Sequence, residues 1–290
     1  MLNKLKANEV ISDTDGLVGI FGGTFDPIHQ GHVGALDLLC ETFKFEHVHW
    51  VLSARPPHKD QVSASIEQRF EMLQLALDGN DIYIADDVEI SRQEKSYTVD
   101  TVEYFRQCYP NAKLLVIIGS DSLLNLPSWH RYSELVEQVN WIVMHRPGYS
   151  LQLNDQFDNE LASRFTDDAA QFNASAGGAL WLFENSNFSI SSTQLRAELA
   201  TPNAGDQGSL VKQFIASDVI SYIRARHLYK IKPMKPEEIK QKVIEAIEDV
   251  KGQDIRVLDI GDISNFADYM VVVSGTSDTC LLYTSPSPRD

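Results

Sequence analysis

The chain has 290 residues, of which 43% are hydrophobic and 23% charged, with a formal net charge of −16. Such composition is typical of a globular protein, and the acidic balance disfavours nonspecific nucleic-acid binding, which needs a basic face. The cysteines Cys40, Cys108 and Cys280 have no metal-ligand spacing, and no apolar run approaches the ~18–20 residues of a membrane span. We therefore expect a soluble cytoplasmic protein with reduced thiols and neither nucleic-acid nor membrane partners.

The first two thirds of the chain alternate predicted strands and helices. A buried strand over Leu17–Phe21 precedes helical apolar spacing over His32–Phe43, and His47–Ser53 is typical of a second strand. Further strands are predicted for the segments "IYIAD", "KLLVIIGSD", "WIVMHRPG" and "ALWLFEN". Because strand–helix–strand units build parallel sheets through right-handed crossovers, the pattern predicts a doubly wound α/β fold.

Two helix starts carry capping-box signatures. Ser65 with Gln68, and Ser191 with Gln194, each place a hydroxyl three residues before a glutamine. Gly79 is predicted to end the first of these helices. The spacing of the segment "SDVISYIRARHLY" predicts an amphipathic helix that closes the domain.

The character of the sequence changes after residue 229. Pro233 and Pro236 mark a linker, and Pro236 begins a predicted helix that is followed by the strand-like segments "IRVLDI" and "DYMVVVSG". The predicted organisation is an N-terminal extension without fixed structure (1–16), an α/β domain (17–229) with a polar insertion (151–178), a linker (230–235), an incomplete α+β fragment (236–279) and a tail (280–290).

The segment "GIFGGTFDPIHQGH" is the first with chemical content. Gly22 and Gly23 let the backbone turn sharply after a buried strand and approach a ligand without a Cβ. The next helix presents free N–H groups and its positive dipole end there, and Asp26 can accept hydrogen bonds from loop amides. His29 and His32 stand at this helix start, where imidazoles can bind phosphate oxygens. The segment therefore predicts an anion site.

Other readings of the same segment fit less well. A phosphate-binding P-loop needs Lys followed by Ser or Thr, and a dinucleotide fingerprint needs G-x-G-x-x-G; neither is present. A zinc site built on His29 and His32 lacks a third ligand nearby, so no protein-held metal is expected. Two surface histidines in an ordinary turn remain the structural alternative.

Together, "GTFDPIHQGH" and "ISSTQLR" resemble the nucleotidyltransferase superfamily with the (T/H)-x-G-H motif. The segments "PPHK", "SYTVDT", "IIGSDSLLNLPSWHRY" and "HRPGY" follow the order and spacing of the bacterial nicotinate-nucleotide adenylyltransferase family. This resemblance covers residues 17–229 and implies a Rossmann-like nucleotidyltransferase domain. It also implies transfer of an adenylyl group from ATP to nicotinate mononucleotide, giving nicotinate adenine dinucleotide and pyrophosphate in NAD biosynthesis.

The resemblance assigns roles to matching positions. The catalytic groups would be His29, His32, Lys59 and Arg196. The residues that would bind ATP are Gly22, Gly23, Thr24, Phe25, His29, His32, Gly119, Asp121, Ser191, Ser192, Thr193 and Arg196. The residues that would bind nicotinate mononucleotide are Lys59, Thr98, Trp129, His130 and Arg146, with the indole of Trp129 stacked on the pyridine ring.

Cofactor, acceptor and assembly are less defined by these motifs. A Mg²⁺ ion carried mainly by the ATP phosphates would fit, since such an ion leaves little protein signature. Nicotinamide mononucleotide or phosphopantetheine stay open as acceptors, although "SYTVDT" with "SWHRY" favours nicotinate and the length before "ISST" disfavours pantetheine. A homo-oligomer is possible in this family.

The segment from Met234 to Thr279 resembles the start of the ribosomal silencing factor (Iojap-like) family, through "GQDI", "LDI", "ADYMVV" and "SGTS". Members bind the large ribosomal subunit, so a ribosome-associated regulator with a nucleotide-sensing domain is the alternative function. Because only the first half of that domain is matched, we expect no ribosome binding. A natural fusion and a read-through or assembly join both remain open.

The tail "CLLYTSPSPRD" resembles a transposase sequencing adapter read as codons. We therefore expect it not to be biological protein and leave it out of the fold. A natural Ser/Pro-rich tail is the alternative.

Overall fold

A computed structural model describes residues 16–55, 62–92, 95–145, 159–184, 190–201, 209–229, 236–249, 253–259 and 269–274. These residues fall into two compact units, which divide between Lys230 and Ile231. The predicted extension (1–16, except Gly16), linker (230–235) and tail (280–290) lie outside the described residues.

The first unit contains a six-stranded parallel sheet with the strand order β3-β2-β1-β4-β5-β6. The strands are β1 (Leu17–Gly23), β2 (Phe45–Leu52), β3 (Tyr83–Asp86), β4 (Lys113–Gly119), β5 (Asn140–His145) and β6 (Leu180–Glu184). The predicted α/β class is therefore confirmed, with strand ends within a few residues of those expected.

Helices connect the strands and cover both faces of the sheet. They are α1 (Gln30–Thr42), α2 (Ile66–Leu77), α3 (Val88–Ser91), α4 (Thr98–Cys108), α5 (Ser120–Asn125), α6 (Tyr132–Gln138), α7 (Asn159–Ala162), α8 (Ala169–Ala174), α9 (Ser192–Leu199), α10 (Leu210–Phe214) and α11 (Ser217–Ala225), with a 3₁₀ turn at Leu126–Ser128. The short helices α7 and α8 lie in the predicted insertion, whose first residues, 151–158, are outside the described part.

Alternate residues of each central strand point into one of two cores. In β1, Val18 and Ile20 lie in one core and Phe21 lies in the other. In β4, Val116 lies in the core of Val18, and Ile117 lies in the core of Phe21. Helices α1, α2, α9, α10 and α11 cover one face of the sheet, and α3, α4, α5 and α6 cover the opposite face. A parallel sheet buried on both sides explains why its strands are continuous apolar runs.

Both predicted capping boxes are confirmed. The hydroxyls of Ser65 and Ser191 accept from the N–H groups of Gln68 and Gln194, whose side chains accept from the N-cap N–H in return. Gly79, just past α2, has a φ of +81°, as a glycine at a helix C-terminus does.

The final predicted helix of the first unit is shorter than expected. Helix α11 ends at Ala225 rather than continuing to Tyr229, and the residues after it form a turn in which His227 and Tyr229 have φ values of 54° and 60°. The turn directs the Tyr229 hydroxyl to the carboxylate of Asp26, 2.8 Å away. A tertiary hydrogen bond therefore overrides the helical apolar spacing.

The second unit contains the helix α12 (Pro236–Asp249) and an antiparallel pair, β7 (Gln253–Asp259) and β8 (Tyr269–Ser274). The ammonium group of Lys240 on α12 lies 4.4 Å from the ring centroid of Tyr269, so α12 packs on the face of the pair that carries Tyr269. On the opposite face Leu258, Met270 and Val272 are about half exposed.

Arg69 provides a test of what stabilises the first unit. Its side chain is 1% exposed and donates to the carbonyls of Thr24 and Ser53 at 2.9 Å and of Ala54 at 3.2 Å. We expect Arg69→Met to lower the free energy of unfolding by about 3 kcal/mol, because three carbonyls lose a charged donor. Urea unfolding followed by tryptophan fluorescence measures this unit alone, since Trp50, Trp129, Trp141 and Trp181 all lie within it.

Arg226→Met is the matched control. Its side chain is 59% exposed and 3.9 Å from Glu71, so its loss should change stability by less than about 1 kcal/mol. Equal effects of the two substitutions would contradict the structural role of Arg69.

Candidate active site

The centre of the sheet offers a crevice for a ligand. Strands β1 and β4 are neighbours, and the strand order runs outward from them in opposite directions. Open α/β sheets bind ligands beyond the carboxyl ends of the strands at such a reversal. Strand β1 ends at Gly23 and β4 at Gly119, so both predicted glycines lie at this crevice.

The segment Thr24–His29, here called the histidine loop, connects β1 to α1. Phe25 has a φ of 46° and is 2% exposed, with its ring beneath the loop. A Cβ on Gly23 would lie 2.6 Å from that ring, whereas nothing lies within 4 Å of the corresponding position on Gly22. Gly23 is therefore required by the packing of the loop itself, and Gly22 leaves open space on the crevice side.

His29 and His32 lie together at the start of α1. His29 is the N-cap residue and is 3% exposed, while His32 is half-buried. Their rings are stacked with centroids 3.8 Å apart, and Phe25 contacts His32 edge-on at 5.3 Å. The first turn of α1 contains no acidic residue, so its positive dipole end is not neutralised. The two imidazoles therefore form one stacked pair at the start of α1.

The start of α9 lies against the start of α1. The Ser192 hydroxyl donates to the carbonyl of Pro27 at 3.0 Å. A Cβ on Gly31 would lie 2.7 Å from Ile190, so the two helix starts approach as closely as a glycine allows. The structure therefore brings together the two helix starts that the sequence predicts as anion sites, since Ser192 contacts a residue 165 positions away, although the Ser191 and Ser192 hydroxyls already take part in hydrogen bonds within the protein.

Arg196 links the same two helix starts. Its guanidinium donates to the carbonyl of Asp26 at 2.6 Å and to the Thr193 hydroxyl at 3.3 Å, and it lies 4.0 Å from the Asp26 carboxylate. Its side chain is 28% exposed, so it keeps access to solvent. An anion placed over the helix starts would meet this guanidinium as well.

The Asp26 carboxylate anchors the histidine loop. It is 5% exposed and accepts from the N–H groups of Ser63 at 2.8 Å and Ala64 at 3.3 Å, and from the Tyr229 hydroxyl at 2.8 Å. The expectation that Asp26 binds amides is confirmed, but the amides belong to the segment before α2 rather than to its own loop. Three distant segments therefore meet at one carboxylate.

Gly119 and Asp121 lie at the end of β4, across the crevice from the histidine loop. Gly119 is the N-cap residue of α5, and a Cβ there would lie 2.5 Å from Asp121 Oδ1. Asp121 is exposed in the first turn of the helix. An exposed carboxylate at this edge can accept hydrogen bonds from ribose hydroxyls.

A second group of predicted residues lies on the α4 and α6 side of the site. Thr98 begins α4, and Trp129 follows the 3₁₀ turn with its ring half-buried and edge-on to Trp141 at 6.3 Å. The exposed ring of His130 stacks on Tyr97 with centroids 4.3 Å apart. This stack brings the Thr98 and Trp129 segments together, as binding of one aromatic acid would require.

Two predicted site residues, Lys59 and Arg146, lie outside the described residues. Two others were not predicted from the sequence. The sequence pattern could have indicated Arg69, because it shares the apolar stripe of α2 with Met72 and Leu73, where a charged residue implies a buried partner. No sequence pattern could have indicated Tyr229, because its partner Asp26 is 203 residues away.

Among the described residues, no three His, Cys, Asp or Glu side chains converge as a metal site would require. No helix among these residues is long and apolar enough to cross a bilayer.

Sequence comparisons divide the chain in two. Residues 20–198 match the family model described as cytidylyltransferase-like. Residues 233–282 match the model for the ribosomal silencing factor during starvation, so this segment is similar to that family.

Curated relatives match the first part over nearly their whole length. A protein of Klebsiella pneumoniae (strain 342) named "Probable nicotinate-nucleotide adenylyltransferase" is 35% identical over 219 residues, which is 75% of this chain and 99% of that protein. One of the same name from Aeromonas salmonicida is 34% identical over 213 residues, 73% of this chain and 97% of that protein.

A solved structure has a similar fold. It is described as the nicotinic acid mononucleotide adenylyltransferase of Plasmodium falciparum complexed with NaAD; it has a TM-score of 0.58 and 21% identity, and covers 74% of this chain and 97% of its own. At this identity the match supports the fold alone. The relatives of higher identity, their coverage and the matched family model carry the assignment: the chain belongs to the cytidylyltransferase-like family and, within it, to the nicotinate-nucleotide adenylyltransferases.

Proposed function

We propose that the first unit transfers the adenylyl group of ATP to nicotinate mononucleotide, releasing pyrophosphate and forming nicotinate adenine dinucleotide. The observation that carries the proposal is the junction of two helix N-termini, those of α1 and α9, beside the stacked pair His29 and His32. Two adjacent positive helix ends suit a polyphosphate better than a single anion. The named relatives are consistent with this reaction.

The reaction needs no protein nucleophile. The 5′-phosphate of the mononucleotide attacks the α-phosphorus of ATP, a new P–O bond forms, and the bond to the departing pyrophosphate breaks. Both reacting groups are already phosphates, so positioning and charge stabilisation supply the rate acceleration. In this proposal the His29 and His32 rings act on the phosphates as hydrogen-bond donors rather than as metal ligands or general bases.

We assign each part of ATP to a position in the crevice. Gly22, Gly23, Thr24 and Phe25 line the end of β1, and Gly119 and Asp121 line the end of β4, where we place the adenosine. We assign the β and γ phosphates to the start of α9, with Ser191, Ser192, Thr193 and Arg196. Since the first two hydroxyls already have partners, the free N–H groups of the helix and the Arg196 guanidinium are the principal donors in this assignment.

The nicotinate ring is assigned to the face of Trp129. Its carboxylate would be bound by main-chain N–H groups near Thr98 and His130, two segments joined by the stack of Tyr97 on His130. We retain Lys59 and Arg146 as candidates for the phosphate of the mononucleotide.

We propose that Mg²⁺ accompanies ATP on its phosphates. The described residues provide no cluster of metal-ligating side chains, and Mg²⁺ commonly keeps several waters and binds through substrate phosphates. When bound, the ion would neutralise phosphate charge. We also place the enzyme in the cytoplasm, where Cys40 and Cys108, both free thiols, would stay reduced.

The direct test is pyrophosphate release from ATP in the presence of each candidate acceptor. We expect turnover with nicotinate mononucleotide to exceed that with nicotinamide mononucleotide, because the proposed N–H donors fit a carboxylate. Turnover with neither mononucleotide would refute the proposed function, and a preference for the amide would refute the acceptor assignment.

Replacement of either histidine should abolish most of the activity. We expect His29→Ala and His32→Ala each to lower kcat by about a hundred-fold or more, since each removes a donor from the reacting phosphates. Pyrophosphate release measures kcat, and tryptophan fluorescence verifies that the first unit remains folded.

His47→Gln is the matched control for the histidine variants. His47 lies near the start of β2, at the sheet edge opposite the crevice, and should leave kcat within two-fold of the wild type. Near-normal turnover in both active-site variants would contradict the proposed role.

Loss of the Trp129 ring should act on one substrate only. We expect Trp129→Ala to raise the KM for nicotinate mononucleotide about ten-fold or more, as stacking of a base on an aromatic ring contributes about 1–3 kcal/mol. Trp129→Phe should have a smaller effect, and the KM for ATP should change less than two-fold in both. An equal rise in both KM values would show that Trp129 only supports the fold.

The ribosomal alternative rests on the match of residues 233–282. We propose that this segment does not bind ribosomes in the present chain, because Leu258, Met270 and Val272 on one face of the described β7–β8 pair are about half exposed, and a two-stranded sheet with an exposed apolar face is only marginally stable. We expect the full chain to stay in the supernatant when centrifuged with purified large ribosomal subunits. Pelleting that depends on the subunits would favour the regulatory function instead.

A further inference from the structure

The turn that ends the first unit places Tyr229 beneath the active-site crevice. After α11 ends at Ala225, His227 and Tyr229 adopt left-handed backbone conformations that reverse the chain. The Tyr229 hydroxyl then lies 2.8 Å from Asp26 Oδ1 and 3.9 Å from the sulfur of Met72. Left-handed backbone is unfavourable for a tyrosine. The contact with Asp26 therefore offsets the conformational free energy that the left-handed backbone costs at Tyr229.

The Tyr229 phenol is the donor in its contact with Asp26. Burial, and then the nearby Asp26 carboxylate, raise the pKa of Tyr229 far above its usual value, so the phenol keeps its proton. A hydroxyl that donates to a carboxylate forms a stronger bond than one between two neutral groups. Tyr229 thus acts as a protonated donor to Asp26.

Asp26 transmits this restraint to the groups that face the phosphates. It is three residues before His29 in the histidine loop, and its carbonyl accepts from Arg196 at 2.6 Å. Its carboxylate also holds the N–H groups of Ser63 and Ala64. A shift of Asp26 would therefore move His29 and Arg196 relative to each other, and small displacements of positioned groups can lower rates strongly.

We infer that Tyr229 is a positioning residue for adenylyl transfer: through Asp26 it fixes the histidine loop against the start of α9. The expected effect on kcat rests on the proposed function. The expected effect on ATP binding does not, because binding can be measured separately.

The test is Tyr229→Phe in the full chain, which removes one hydroxyl and keeps the ring. We expect kcat to fall about ten-fold and the affinity for a non-hydrolysable ATP analogue to fall several-fold, at a temperature well below unfolding. Tyr222→Phe is the matched control, since Tyr222 lies on α11, is half-buried and donates to Glu71, which has no contact with Asp26 among those described. It should change neither value by more than two-fold.

A double-mutant cycle with Asp26→Asn separates positioning from simple stability. If Tyr229 acts through Asp26, the double variant should be no worse than Asp26→Asn alone, because the second change removes an interaction already weakened. Independent, multiplying effects on kcat would overturn the inference. So would a Tyr229→Phe variant that melts earlier but keeps wild-type kcat and wild-type affinity for the analogue.

The two proposals fail in different ways. If the wild type releases no pyrophosphate with either mononucleotide but Tyr229→Phe still weakens binding of the analogue, the proposed function fails, and what stands is the role of Tyr229 in placing the nucleotide. If the wild type is active and Tyr229→Phe equals Tyr222→Phe in both kcat and affinity, the positioning role fails and the proposed function stands.

Discussion

The buried carboxylate of Asp26 is the constraint on which the arrangement of the site depends. A carboxylate that is 5% exposed is stable only if donors replace its lost water, and here the donors come from Ser63, Ala64 and Tyr229. Each donor belongs to a segment distant in sequence, so the charge can be satisfied only when those segments have assembled. The geometry of the histidine loop is thereby coupled to the completion of the fold.

The charged and polar groups at the site are mainly positive, whereas the net charge of the whole chain is negative. The chain carries a net charge of −16, yet the crevice collects two helix N-termini, two imidazoles and the Arg196 guanidinium. Helix dipoles and fixed N–H groups supply positive potential without adding net charge. An acidic protein can therefore present a locally positive region at one edge of its sheet.

The sequence predicted features that depend on residues close together in the chain. Its local patterns did not predict contacts between residues far apart in the chain. The capping boxes at Ser65 and Ser191 are local, so their residues specify them within four positions, and the apolar strands were recognisable because they are buried on both faces. The joining of α1 to α9 followed from the resemblance of motifs rather than from periodicity. The Tyr229–Asp26 contact spans 203 residues and ends a helix that apolar spacing would extend, so no local pattern could reveal it.

The docked turn after α11 has a consequence for how the two parts of the chain can be separated. Judged by secondary structure, the first unit would finish at Ala225, but the half-buried Tyr229, next to the division between the units, still packs against its core. A boundary drawn at the end of the helix would remove a donor from the histidine loop while leaving every described strand and helix of the first unit intact. A separated first unit therefore has to keep Tyr229 if the histidine loop is to keep this donor.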